Sequence, residues 1–140
     1  MQVDSTVIPN ASPNLLRLIL PYRIARSDQR FRQRIRRERG NRCERCGATG
    51  EKAGIQCHHV LEARVYPEFA REPANVIVVC EPCHSMVTSA THAEVWEHDF
   101  RTKSILEFYG GLPAEVGRRV ATFLEKNAPQ LGGIISVCTR

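Results

Sequence analysis

Residues 43–61 (CERCGATGEKAGIQCHHVL) and 75–84 (NVIVVCEPCH) decide how this 140-residue chain folds. Five of its six cysteines and three of its five histidines fall between positions 43 and 84. Cys43-x-x-Cys46 and Cys80-x-x-Cys83 have the form of two metal knuckles. Two intervening residues let both thiolates of a pair face one ion, and four thiolates close a tetrahedral zinc shell. A closed shell keeps no open position, so the zinc is expected to be structural. It staples the loop that begins at Cys43 to the helix start near Cys80, which helps a core this small. A redox dithiol or chance explains one such pair more easily than two. Cys80-Glu-Pro-Cys83-His84 also spells the CxxCH pattern of c-type haem attachment. That chemistry belongs to exported proteins and would leave Cys43 and Cys46 without a partner.

Working outward, Ile55 to Leu61 reads as a strand and Val76 to Val79 as another, with Pro67 and Pro73 in the loop between them. Consecutive strand residues face opposite ways, so His58 and His59 cannot easily serve one ion together. They can divide the labour, one as a metal ligand and the other handling a proton. His84 directly follows the last knuckle cysteine, which would fix its place on a helix opening at Pro82. Cys57 is expected as a small buried strand residue, and Cys138 lies in a C-terminal tail without an obvious partner. Further out, Leu15, Leu16, Leu18 and Ile19 suggest a short apolar helix. Ser27 can cap a helix over 28–39, with Phe31 and Ile35 as a narrow apolar stripe and Gly40 as the stop. Thr91 and Glu94 match a capping box, with Val95, Trp96, Phe100, Ile105 and Leu106 on the buried side of the helix that follows. Gly110-Gly111 breaks it, and Pro113 opens a last helix with Val116, Val120, Phe123 and Leu124 at helical spacing. His92 and His98 read as helix-surface residues.

The net charge of +5 is unevenly spread. Residues 17–45 hold eleven of the twenty basic residues, all arginine, against Asp28, Glu38 and Glu44, a local net of +8. Arginine forks onto phosphate and stays charged when partly desolvated, so the block points to a polyanion such as nucleic acid. A solvated helix face would show the same composition. No apolar run approaches the roughly 20 residues of a membrane-spanning helix. The opening MQVDSTVIPN does not read as a secretory signal. The cysteines are therefore expected in a reducing cytoplasm.

His58-His59, Asn75 after 15 intervening residues and His84 after eight more resemble the His-Asn-His (HNH) nuclease motif. The resemblance covers roughly residues 30–90, and that stretch is similar to the subgroup whose ββα-metal core carries a four-cysteine zinc. It implies His59 as general base, with a near-neutral imidazole suited to taking a proton from water. It implies His58 and His84 as ligands of one catalytic divalent cation: Mg²⁺, Mn²⁺, Zn²⁺ or Ni²⁺. It also implies that Asn75 orders the loop and positions the base, although asparagine ligates the metal in some members. The expected fold is α+β: a tail over 1–13, an arginine-rich helical arm over 14–40, a zinc-stapled core over 41–90 and a helical extension over 91–140. Arg30, Arg32, Arg34, Arg36, Arg37 and Arg39 are the expected contacts to DNA, double-stranded by preference. Glu62, Arg64 and Arg71 lie in the loop between the strands, where phosphate could approach. The competing class is a non-catalytic zinc module for nucleic acid or protein, which needs the four cysteines but not the histidines.

Overall fold

A computed structural model of the chain describes residues 26–87 and 99–139. The fold is α+β. Helix α1 (Arg26–Glu38) leads into a cysteine-bearing turn, then the hairpin of β1 (Gln56–His59) and β2 (Val76–Val79), then the short α2 (Glu81–Ser85). Three helices follow: α3 (Asp99–Gly110), α4 (Ala114–Asn127) and α5 (Gly132–Cys138). The suggested helix at Leu15–Ile19, the capping box at Thr91, and Val95, Trp96, His92 and His98 lie outside the described residues.

The strands pair antiparallel, with Cys57 opposite Val78, His58 opposite Ile77 and His59 opposite Val76. Directly opposed residues share a face, so Cys57, His59, Val76 and Val78 form one side of the sheet and His58, Ile77 and Val79 the other. All four β2 residues are buried, as the unbroken apolar run of a strand covered on both faces requires. Phe31 and Ile35 of α1 pack on Val76 and Val78, with Ile55 and Cys57 at the margin. The opposite face joins Ile77 and Val79 to Phe108 and Tyr109 of α3, Val120 and Leu124 of α4 and Ile134 of α5. The apolar stripe expected at Val116, Val120, Phe123 and Leu124 is buried throughout.

Four local expectations are corrected. The first helix begins at Arg26, so Ser27 lies inside it rather than capping it. Strand β1 stops at His59 instead of Leu61, because Asn75 takes over the pairing. Its carbonyl accepts from Val60 N–H at 2.8 Å, and its Oδ1 accepts from Leu61 N–H at 2.7 Å. The segment after Asn127 is a third C-terminal helix rather than a tail, and it buries Cys138. It lies so close to α4 that a Cβ on Gly117 would stand 2.5 Å from the Cys138 carbonyl oxygen. Finally, Arg39 does not face outward. Its guanidinium donates to Glu44 Oε2 at 3.1 Å, to the Pro73 carbonyl at 2.8 Å and to the Val76 carbonyl. The same Glu44 carboxylate accepts from Arg119 of α4 and from Val78 N–H at 2.8 Å. Arg39 is thus a structural tie, its guanidinium already bonded to Glu44, Pro73 and Val76.

Candidate active site and cysteine cluster

The two knuckles converge. The sulfurs of Cys43, Cys46, Cys80 and Cys83 all lie within 4.8 Å of one another, and Cys46 Sγ and Cys80 Sγ are 3.6 Å apart. Zinc–sulfur bonds of about 2.3 Å in a tetrahedron put the sulfurs about 3.8 Å apart, so the cluster can hold a zinc ion. The turn that arranges it is tight. Cys43 N–H donates to the Ala48 carbonyl at 2.9 Å, and Gly47, at φ 82°, donates back to the Cys43 carbonyl at 2.9 Å. Cys80 stands at the N-cap of α2, which carries Pro82 in its first turn. Burial pushes the Cys83 thiol up to about 12 and raises Cys80, whereas at Cys43 burial is outweighed by backbone hydrogen bonds, which lower it to about 7. Ionising all four together therefore calls for a cation among the sulfurs. Arg45, between the first two cysteines, donates from Nε to the Phe108 carbonyl at 3.1 Å and from Nη1 to Cys83 Sγ at 3.7 Å. It ties the knuckle to the end of α3.

Two of the three histidines meet. His58 and His84 sit edge to face, with ring centroids 5.5 Å apart. His58 is 3% exposed, lies 5.7 Å from the Phe108 ring, and has Nε2 3.1 Å from the Tyr109 hydroxyl. Burial, then the neighbouring His84 and His59, lower its pKa to about 3. A lone pair is therefore held ready at neutral pH, as a metal ligand requires. Among the described residues, the four cysteines are the only group of three or more His, Cys, Asp or Glu placed to share an ion. The His58–His84 pair would therefore need water or phosphate oxygens to complete a coordination shell.

His59 lies on the other face of the sheet, beneath α1. Its Nε2 is 2.8 Å from the Ala70 carbonyl. A carbonyl can only accept, so Nε2 carries the hydrogen and Nδ1 is left as an acceptor. Burial lowers the His59 pKa, the Ala70 bond raises it, and the Arg32 charge lowers it further. The net direction is downward, so the ring is neutral at pH 7.

Asn75 is fully buried and anchors the loop that supplies Ala70. Its Nδ2 donates to the carbonyls of Leu61 at 3.0 Å and Phe69 at 3.1 Å, while Oδ1 takes Leu61 N–H. An Asn75→Ala variant leaves those three groups without their partner. A loss of about 2–4 kcal/mol is expected, since each buried group left unsatisfied costs about 1–3 kcal/mol. Denaturant melts of the two proteins measure it.

The arm arginines divide. Arg30, Arg34 and Arg37, with Phe31 and Arg71, line an open groove of about 420 Å³ on the α1 side of the sheet. Arg71 pairs with Asp28 at 3.3 Å, and Arg34 with Glu38 at 3.7 Å. Arg32 and Arg36 are half-buried. Cys57 is half-buried, and its thiol donates to the Arg32 carbonyl at 3.6 Å, so it sits apart from the cysteine cluster. Glu62 is half-buried in the same loop, and Arg64 is exposed. Sequence reasoning missed Tyr109, Arg45 and the structural use of Glu44, because each acts through a partner remote in the chain.

Two strands and a short helix carry the four-sulfur cluster and place histidines on both faces of the sheet. The family model described as HNH endonuclease matches residues 43–90. That stretch is an HNH domain, of a family that is nucleolytic in general. No curated protein and no solved structure matches the chain. Among the described residues, no helix is long and apolar enough to cross a membrane.

Proposed function

We propose that the protein is a metal-dependent endonuclease that hydrolyses DNA phosphodiesters with His59 as general base. The observation that carries this reading is the bond from His59 Nε2 to Ala70, which fixes the ring and leaves Nδ1 as the proton acceptor. Nδ1 would take a proton from water while the water oxygen bonds to phosphorus. The bond from phosphorus to the leaving sugar oxygen breaks, and solvent protonates that oxygen. A divalent cation held by His58 and His84 would supply a Lewis acid for the charge on the phosphate and leaving oxygens. Asn75 is then a positioning residue rather than a catalytic one, since it acts by holding the loop that aims His59. The four cysteines would hold a structural zinc.

The groove of Arg30, Arg34, Arg37 and Arg71 lies on the His59 side of the sheet and suits the backbone of double-stranded DNA. Each phosphate neutralised contributes about 0.9 to the slope of log affinity against log salt. Replacing Arg30, Arg34 and Arg37 by alanine together should flatten that slope by about 0.9 for every phosphate those side chains neutralise. Fluorescence anisotropy with a labelled duplex at several salt concentrations reads it. An unchanged slope removes the groove from the binding surface.

The activity itself is tested on supercoiled plasmid with Mg²⁺, Mn²⁺, Zn²⁺ or Ni²⁺, where nicked and linear products are resolved separately. Cleavage by the wild type supports the reading. Binding without cleavage under every cation replaces it with a zinc-stabilised binding module.

A further inference from the structure

The HNH match ends at residue 90, yet His58 is held from outside it. The Tyr109 hydroxyl reaches His58 Nε2 at 3.1 Å from a point 51 residues further along the chain. Both residues are 3% exposed, so water does not compete for this contact. Phe108 packs edge-on against the same imidazole at 5.7 Å. Arg45 fixes the Phe108 carbonyl at 3.1 Å, and its guanidinium carbon stands 5.5 Å from the centre of that ring. The end of α3 is therefore braced against both the cysteine turn and the histidine pair.

An imidazole that ligates a cation through one nitrogen is oriented by whatever its other nitrogen bonds, and that outer partner also sets the tautomer. With Nε2 engaged by Tyr109, the nitrogen of His58 available to a cation is Nδ1. Ligation through Nδ1 requires it to be unprotonated, so Nε2 must donate its hydrogen to the Tyr109 oxygen. From this geometry we infer that Tyr109 is a positioning residue of the cation site. It holds His58 as the Nε2–H tautomer and leaves Nδ1 as the nitrogen for a cation shared with His84. The inference rests on the reading of His58 and His84 as cation ligands. It adds that the site is completed by the C-terminal helices and is not self-contained in the HNH stretch.

The test compares full-length wild type, Tyr109→Phe, Phe108→Leu and His58→Ala, each first checked for folding by far-UV circular dichroism and for cysteine-bound zinc. Calorimetric titration with Mn²⁺ then gives cation affinity, and long-range proton–nitrogen NMR spectra of the histidines give the tautomer before cation is added. The expected result is one Mn²⁺ site in the wild type that His58→Ala abolishes, and an Nε2–H tautomer at His58. Tyr109→Phe should lose about 10- to 100-fold in affinity and show a mixture of tautomers. Phe108→Leu, which disturbs packing but keeps the hydroxyl, should melt at lower temperature with the tautomer unchanged. Equal Mn²⁺ affinity in wild type and Tyr109→Phe overturns the inference and leaves the cation site standing. An Nδ1–H tautomer in the wild type overturns it as well. No His58-dependent Mn²⁺ site in the wild type overturns the cation reading itself, and the inference with it.

Discussion

His59→Ala should cut the rate of plasmid cleavage by about 10²- to 10⁴-fold, the usual worth of a positioned general base. DNA affinity should hardly change, because His59 is not one of the groove arginines. The fold should survive, since among the described residues the ring's hydrogen bond is to the Ala70 carbonyl. The wild-type pH profile supplies an independent sign. Protonation of His59 abolishes its function as a base, so activity falls as pH drops through its pKa. Burial, the largest influence on it, moves that pKa below 6.5. The acid limb of kcat/KM should therefore lie under pH 6.5 and vanish from the residual activity of the alanine variant. Residual activity with an unshifted acid limb would assign the base to another group.

Loss of the cysteine cluster should cost the whole fold. A structural zinc on four thiolates contributes about 10–16 kcal/mol of apparent folding free energy, whereas a domain of this size is stable by about 5–15 kcal/mol. Cys80→Ser, or stripping with a strong chelator, is expected to abolish the cooperative thermal transition and the near-ultraviolet dichroism. Cys138→Ser is the control, because Cys138 is equally a buried thiol but belongs to α5 and the apolar core. It should keep one zinc per chain and melt cooperatively. Cobalt substitution distinguishes the two cases directly, since four thiolate ligands give an intense visible spectrum that Cys80→Ser would lose. A Cys80→Ser protein with full zinc content and an unaltered melt would show that the cluster is not a zinc site.

Local chemistry carried most of the core into view. The alternation around His58-His59 and the apolar run Val76 to Val79 specify a hairpin because side-chain period and burial agree there. The knuckles are legible because ligand spacing is a local property. What stayed hidden depended on distant partners. Arg39 looks like one more arm cation until Glu44, five residues on, folds back onto β2 and captures it. Helix α5 opens on two glycines with no side-chain cap, so its stability comes from packing against α3 and α4 rather than from its own sequence. Tyr109 is an ordinary core aromatic by pattern. Only the tertiary fold turns its hydroxyl to an imidazole on another element.

The Glu44 carboxylate has a consequence for anyone who would rebuild this protein. One side chain 12% exposed joins the end of the arm helix, the cysteine turn, the second strand and a C-terminal helix. Those four pieces cannot be exchanged as interchangeable parts. A chimaera that grafts a foreign DNA-binding segment at Gly40 would strip Arg39 from Glu44 and bare Val76 and Val78, so the graft would fail by insolubility before specificity could be assayed. Any fusion therefore has to keep Arg39 and Glu44 together with β2 and α4 as one piece.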